Sequence, residues 1–200
     1  MPDHLSATAR IDALWSDSIA SIKAARRELT DGVAEAAALL AEVLDKDGKI
    51  LICGNGGSAS DSLHFSSELV NKFERIRRPL AAVSLAADIS TMTSIANDES
   101  YDAVFARQVE ALARRGDVLV VITTSGNSPS ILRAVRAAQD RNIRRIALNG
   151  RDGGALSPIL NADDIDIVAP GASTARIQEI HGIIIHAFCE LIDHQLFGEI

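Results

Sequence analysis

The segment KILICGNGGS, residues 49–58, combines a short apolar run with a glycine-rich stretch. The run from Lys49 to Cys53 is typical of a buried strand, and the residues from about Ser58 to Phe73 have helical spacing. The pattern predicts a strand, a glycine loop and a helix. The glycines lack the spacing of a dinucleotide fingerprint, and a tight turn would by itself explain them. Small residues would also let a polar ligand approach the backbone, with Asn55 supplying hydrogen bonds.

The rest of the chain repeats this alternation of strands and helices. It predicts an α/β fold with a five-stranded parallel sheet, helices on both faces, and ligands bound beyond the carboxyl ends of the strands. The further strands are predicted at Leu80–Leu85, Asp117–Thr123, Ile143–Leu148 and Asp164–Val168. The helices between and after them are predicted at Ile89–Asn97, Tyr101–Arg114, Ser128–Arg141 and Thr174–Phe197.

Length and composition predict one domain over residues 1–200, in which residues 1–46 form an extension of two helices, with apolar residues at helical spacing from Leu5 onward. The 20 Lys and Arg against 27 Asp and Glu give a net charge of -7, which disfavours nucleic acid and anionic membranes as partners. No run approaches the roughly 18 apolar residues of a membrane span, and the N-terminus has no signal core. The two cysteines, Cys53 and Cys189, are expected to be reduced and buried, which favours a cytoplasmic protein.

The segment Thr123–Pro129 follows a predicted buried strand and precedes a helix. Ser128 is a good N-cap residue, and Pro129 suits the first helical position. Capping needs one hydroxyl, whereas this loop offers four beside free helix-start N–H groups, which favours phosphate binding. No lysine accompanies the loop, so a Walker-type nucleotide site is not expected.

Two helices carry polar residues at informative spacings. His64 and Glu68 share a helix face, with Asp61 one turn earlier, although surface His–Glu pairs are common. In the last helix, polar groups that include Gln178 and His186 interrupt an apolar stretch. A buried histidine there would need a hydrogen-bond partner, and a lone one is more often a core residue than a ligand.

Together these features resemble the sugar-isomerase (SIS) domain family, and within it the isomerases that act on sedoheptulose 7-phosphate. The resemblance rests on Cys53-Gly54-Asn55-Gly56-Gly57-Ser58, His64-Phe65 with Glu68-Leu69, Asn97-Asp98, Thr124-Ser125-Gly126-Asn127-Ser128, Asp152-Gly153-Gly154 and Arg176-Ile177-Gln178-Glu179-Ile180-His181. Two positions depart from the family pattern as we know it. Thr123 replaces a serine and keeps the hydroxyl, and Ala175 replaces an acidic residue that some members carry.

The resemblance implies a flavodoxin-like sheet, a homotetramer with the active site at a subunit interface, and a ketose–aldose isomerisation through an enediol. It implies one Zn²⁺ per subunit, held by His64, Glu68, Gln178 and His186. Glu68 and His186 would also transfer protons, with Asp61 and Asp98 as reserve candidates for the base. The implied substrate contacts are Asn55, Gly56, Gly57, Ser58, Glu68, Asn97, Asp98, Thr123, Thr124, Ser125, Ser128 and Gln178.

Helix geometry constrains this metal site. Gln178 and His186 are eight residues apart, so a straight helix separates them by about 12 Å and about 80°. With metal bonds of roughly 2 Å, both can barely reach one zinc ion. We therefore expect either a helix distorted near Gly182 or a site that combines residues from two subunits.

Two non-enzymatic functions remain open. The segment Asn71–Arg75 resembles part of a tetrameric relative that binds the bacterial replication initiator. That adaptor lacks counterparts of Glu68 and His186, so their presence here favours catalysis. A sugar-phosphate sensor that binds without turnover is the other alternative.

Overall fold

The computed structural model describes residues 6–199, and they form a five-stranded parallel sheet in the order β2-β1-β3-β4-β5. The strands are β1 (Ile50–Gly54), β2 (Ala82–Ser84), β3 (Val118–Ile122), β4 (Arg144–Gly150) and β5 (Ile165–Ala169). The helices are α1 (Ala7–Asp45), α2 (Gly57–Val70), α3 (Ile89–Asp98), α4 (Ala106–Leu112), α5 (Pro129–Asp140) and α6 (Thr174–Phe197). The strand order is that of flavodoxin-like folds, so the predicted fold class is confirmed.

The strands are apolar at almost every position because both faces of the sheet are covered. On β1, Ile50 and Ile52 belong to a core shared with α1 and α6, whereas Leu51 and Cys53 belong to a second core shared with α4 and α5. Successive side chains of a strand point to opposite faces, so each strand contributes to both cores.

Two helix predictions are wrong. Residues 7–45 form a single helix, α1, where two were expected. Leu5, the first apolar position of the predicted pattern, lies outside the described residues. The predicted helix Tyr101–Arg114 divides into a 3₁₀ turn at Tyr101–Ala103 and the short α4. Val104 and Phe105, between the two, are fully buried, so packing onto the sheet overrides local helical preference here.

The sheet register determines which loops meet. Gly54, at the end of β1, pairs with Ile122, at the end of β3. The glycine loop and the Thr123–Ser128 loop therefore lie side by side at the carboxyl edge, as expected for a ligand site in a parallel sheet. Among the described residues, no helix is long and apolar enough to cross a membrane.

Candidate active site

A cavity of about 320 Å³ lies at the carboxyl edge of the sheet, between the loops that follow β1 and β3. It is lined by Asn55, Gly56, Gly57, Ser58, Ile122, Thr123, Thr124, Ser125, Ser128, Thr174 and Gln178. Nine of these eleven residues are predicted substrate contacts; Ile122 and Thr174 are the additions. The structure thus brings together loops from three separate parts of the chain.

The Thr123–Ser128 loop is held by its own hydrogen bonds and by a glycine. The Gly126 N–H donates to Thr123 Oγ1 at 3.3 Å, and the Asn127 side-chain amide donates to the Ser125 carbonyl at 2.8 Å. Gly126 has φ +64°, and a Cβ there would lie 2.0 Å from the Gly153 carbonyl oxygen. Only glycine fits both the backbone conformation and the contact.

Ser128 is the N-cap residue of α5, as predicted, but its side chain makes no capping hydrogen bond. Its hydroxyl instead accepts a hydrogen bond of 2.8 Å from the Asn55 amide. Both α5 and α2 begin at the cavity, and neither start is capped by a side chain. Their N-terminal dipoles and N–H groups make this edge of the sheet suitable for an anion.

Asn55 connects the two loops. Its Nδ2 donates to Ser128 Oγ at 2.8 Å and to Ser130 Oγ at 3.0 Å, and its Oδ1 accepts from the Tyr101 hydroxyl at 2.8 Å. Asn55 therefore lines the cavity, and its side-chain amide forms hydrogen bonds to other protein groups. Sequence reasoning missed Tyr101 and Ser130, because the residues that reveal their role are 46 and 75 positions away.

A second group of predicted residues meets further along α2 and α6. His64 Nε2 lies 3.1 Å from Glu68 Oε1, and the ring centroids of His64 and His186 are 5.1 Å apart. His186 also stacks on Phe73, at 5.7 Å. We call His64, Glu68 and His186 the acid–base cluster. It contains a carboxylate and two imidazoles, the groups that proton transfer needs.

Asp61 lies one turn before His64 and is half-buried. Its Oδ2 atom is buried without a hydrogen-bond partner. Desolvation raises the pKa of this carboxyl, and the charge of His64 opposes that rise in pKa. Burial therefore makes the Asp61 carboxyl easier to protonate than a carboxyl exposed to water.

The acid–base cluster does not line the cavity of its own chain. Along α2, Gly57 precedes His64 by seven residues, which corresponds to about 10 Å of helix. Along α6, Gln178 and His186 are about 12 Å apart on the same basis. Helix α6 is an unbroken α-helix through Gly182, which favours the other expectation, a site shared between two subunits.

Asn97 and Asp98 lie apart from the cavity. They end α3, where the Asn97 amide donates to Asp98 Oδ1 at 2.8 Å, and both side chains are exposed. Asp98 lines a different cavity together with Glu99 and Arg107. Neither residue lines the cavity of its own chain, and α3 packs its Met92 and Ile95 against the second core.

His181 is the buried histidine of α6, and it has the partner that burial requires. Its Nε2 lies 2.8 Å from the Asn149 carbonyl oxygen and donates to it, while Nδ1 has no partner. Burial lowers the pKa of His181, so its imidazole is neutral. It belongs to the core, as expected for a lone histidine on an apolar helix face.

The fold and the cavity are those of an α/β protein whose parallel sheet has, at its carboxyl edge, a polar cavity suited to an anionic small molecule. Residues 15–150 match the SIS domain family. The chain is 56% identical over 190 residues to a phosphoheptose isomerase of Methylococcus capsulatus, covering 95% of this chain and 97% of the relative. It is 50% identical over 189 residues to one of Halorhodospira halophila, covering 94% and 96%.

Solved structures of phosphoheptose isomerases have the same fold as this chain. A phosphoheptose isomerase from Neisseria gonorrhoeae has a TM-score of 0.90 at 45% identity, covering 94% of this chain and 99% of that one. One from Francisella tularensis has a TM-score of 0.93 at 40% identity, covering 95% and 100%. The chain belongs to the SIS domain family and, within it, to the phosphoheptose isomerase family. The family resemblance inferred from the sequence is confirmed.

Proposed function

We propose that this protein is an aldose–ketose isomerase that converts sedoheptulose 7-phosphate into D-glycero-D-manno-heptose 7-phosphate, in heptose biosynthesis for lipopolysaccharide. Relatives named phosphoheptose isomerase align with nearly the whole chain. The observation that carries the proposal is the cavity where hydroxyl groups meet the starts of α2 and α5. Such an arrangement suits the phosphate of a sugar phosphate.

The residues divide into two functions. Thr123, Thr124 and Ser125 line the cavity, and their hydroxyls hold the phosphate together with helix-start N–H groups. Isomerisation moves a proton between neighbouring carbons through an enediol. Glu68 removes the proton from one carbon and returns it to the other, while His186 moves protons at the substrate oxygens.

We propose one Zn²⁺ per subunit, bound by His64 and His186 of one chain, by Glu68 when it is not acting as the base, and by Gln178 of a neighbouring copy, since the unbroken α6 separates Gln178 from His186 of its own chain by about 12 Å. The acid–base cluster supplies the nitrogen and oxygen donors that zinc prefers. In residues 6–199 of one chain, no group of three or more His, Cys, Asp or Glu side chains is arranged to hold a metal ion, so these side chains must reorient to bind it. When bound, zinc polarises a carbonyl and stabilises negative charge on its oxygen.

We also propose a homotetramer with its active site between subunits. The cavity and the acid–base cluster lie apart within one chain, so a complete site combines residues from two copies. An apolar groove of about 420 Å³ lies between α1 and α6, and the first half of α1 exposes Leu14, Trp15 and Ile19. Exposed apolar surface of this extent is typical of subunit contacts. We place the enzyme in the cytoplasm, where its buried thiols Cys53 and Cys189 remain reduced.

The direct test supplies sedoheptulose 7-phosphate and follows aldose formation. Glu68→Gln should lower kcat by about 100-fold or more, the usual contribution of a general base. Glu110→Gln, which changes an exposed carboxylate on α4, should leave kcat unchanged. Chelation followed by Zn²⁺ addition tests the metal. Absence of turnover by the wild type would overturn the proposal and favour an adaptor or a sensor.

The shared site has a separate test. Glu68→Gln and Ser125→Trp, which fills the cavity, should each be inactive alone. Co-assembled chains should recover part of the activity, because some interfaces then combine an intact cavity with an intact Glu68. Equally inactive mixed oligomers would place each site within one chain.

A further inference from the structure

A buried ion pair lies beside the acid–base cluster. Arg77, in the segment between α2 and β2, donates from Nε to Asp193 Oδ1 of α6 at 2.7 Å. Both side chains are only 2% exposed. A buried guanidinium is costly unless its remaining N–H groups are also bonded, so the other end of Arg77 matters.

The other end of Arg77 binds the last turn of α2. Its Nη2 donates to the Glu68 carbonyl at 2.9 Å, and its Nη1 donates to the Leu69 carbonyl at 2.8 Å. The last four carbonyls of a helix have no partner within the helix, and a cation there also opposes the helix dipole. Arg77 therefore fastens the backbone of Glu68 itself.

Asp193 stands in a matching position on α6. It follows His186 by seven residues, almost two full turns, so the two side chains lie within about 20° of each other on one helix face. His64 on α2 contacts His186 on this face of α6, and Arg77 bonds Asp193 on the same face of α6. One guanidinium connects the end of α2 that bears Glu68 to the part of α6 that bears His186.

We propose that Arg77 and Asp193 are positioning residues for isomerisation, which hold Glu68 and His186 at the spacing that proton transfer requires. This inference rests on the proposed function. A displacement of about 1 Å between catalytic groups can reduce a rate about 100-fold, so loosening this pair should lower kcat strongly. It should change KM little, because neither residue lines the cavity.

The chain contains a matched control. Arg145 and Asp164 form a second buried ion pair, with side chains 4% and 2% exposed. The Arg145 N–H also donates to Asp164 Oδ1 at 2.9 Å. This pair lies at the start of β4, the edge of the sheet opposite the cavity. Its loss should reduce stability in the same way and leave the chemistry unaffected.

The experiment compares Arg77→Lys and Asp193→Asn with Arg145→Lys and Asp164→Asn. Lysine keeps the charge, but one ammonium cannot reach Asp193 and both carbonyls at once. We expect the first two variants to lower kcat by about 10- to 100-fold with KM within twofold of wild type. The control variants should lower the Tm comparably and keep kcat. Equal kcat for both sets, at a temperature where all are folded, would overturn the proposal.

Two further measurements apply if the single variants fold poorly or if the wild type does not isomerise the sugar. Replacing a buried ion pair by apolar residues often preserves stability, so Arg77→Met combined with Asp193→Leu should fold and still show the low kcat. Wild-type kcat in that double variant would also overturn the proposal. If the wild type itself does not isomerise the sugar, the proposed function fails. Amide hydrogen exchange then tests separately whether Arg77→Lys loosens the last turn of α2. Unchanged protection of the amides in that turn would refute the positioning role of Arg77.

Discussion

The substitution Gly57→Ala should reduce activity without reducing stability. Gly57 is the first residue of α2, and its φ lies outside the left-handed region. A Cβ at this position would lie 2.4 Å from Gln178 Nε2 and 2.9 Å from its Cδ. Because ordinary contacts begin near 3.4 Å, the amide of Gln178 must move by about 1 Å, which its flexible side chain allows.

The magnitudes follow from this geometry. Displacing the amide should cost one hydrogen bond to the ligand, about 0.5–1.5 kcal/mol, or about a 2- to 12-fold loss in kcat/KM. Replacing glycine by alanine where the backbone permits it stabilises by about 0.4–1 kcal/mol, so the Tm should not fall. Gly32→Ala, in α1 with no atom within 4 Å of the added Cβ, is the matched control for stability.

A double-mutant cycle decides whether the effect passes through Gln178. Steady-state kinetics on Gly57→Ala, Gln178→Ala and the double variant give kcat/KM for each. If the added methyl acts by displacing the amide, Gly57→Ala should have little further effect in the Gln178→Ala background. Additive losses in kcat/KM, or an unaltered kcat/KM for Gly57→Ala alone, would refute this reasoning.

The remaining predictions concern the phosphate loop and the buried histidine. Ser125→Ala should raise KM for the sugar phosphate and the inhibition constant of inorganic phosphate by about 10- to 150-fold, since a hydrogen bond to a charged group contributes about 1.5–3 kcal/mol. Ser90→Ala on α3 should change neither constant. Equal affinities would contradict phosphate binding by this loop. Burial lowers the pKa of His181 below its ordinary value of 6.5. As the pH falls from 6.5 toward the folded-state pKa, the unfolded chain therefore binds more protons than the folded chain. The free energy of unfolding decreases over that window by up to about 1.4 kcal/mol per pH unit. His181→Gln, which retains a donor for the Asn149 carbonyl, should flatten this pH dependence in denaturant titrations, and His194→Gln should not; the same slope in both variants would count against the assignment.

The sheet and its loops were predictable because local pattern and tertiary environment agree there. Both faces of β1 and β3 are buried, so continuous apolar runs identify them, and a parallel sheet places their ends together. The single helix α1 was missed because residues 23–32 carry few apolar positions. They remain helical because the segment is rich in helix-forming residues and Gly32 alone does not end a helix.

The contacts that hold the site in place were not predictable in the same way. Tyr101 bonds Asn55 across 46 positions, and Arg77 bonds Asp193 across 116. A tyrosine in a polar segment and an arginine among other arginines have ordinary surface explanations when only the sequence is read. Their roles depend on burial and on partners brought together by the fold, and sequence periodicity reports neither.

The site separates binding from chemistry along the same two helices. The first turns of α2 and α6 contribute Gly57 and Gln178 to the cavity, and later turns carry Glu68 and His186. Glycine contacts and loop hydrogen bonds hold the cavity end, whereas a buried ion pair and a helix-capping arginine hold the cluster end. Because these interactions share no residue, perturbing one end should alter KM and perturbing the other should alter kcat. A helix pair fastened independently at both ends thus supplies the rigidity that a proton transfer needs, and the fixed loops present a preformed cavity to the sugar phosphate.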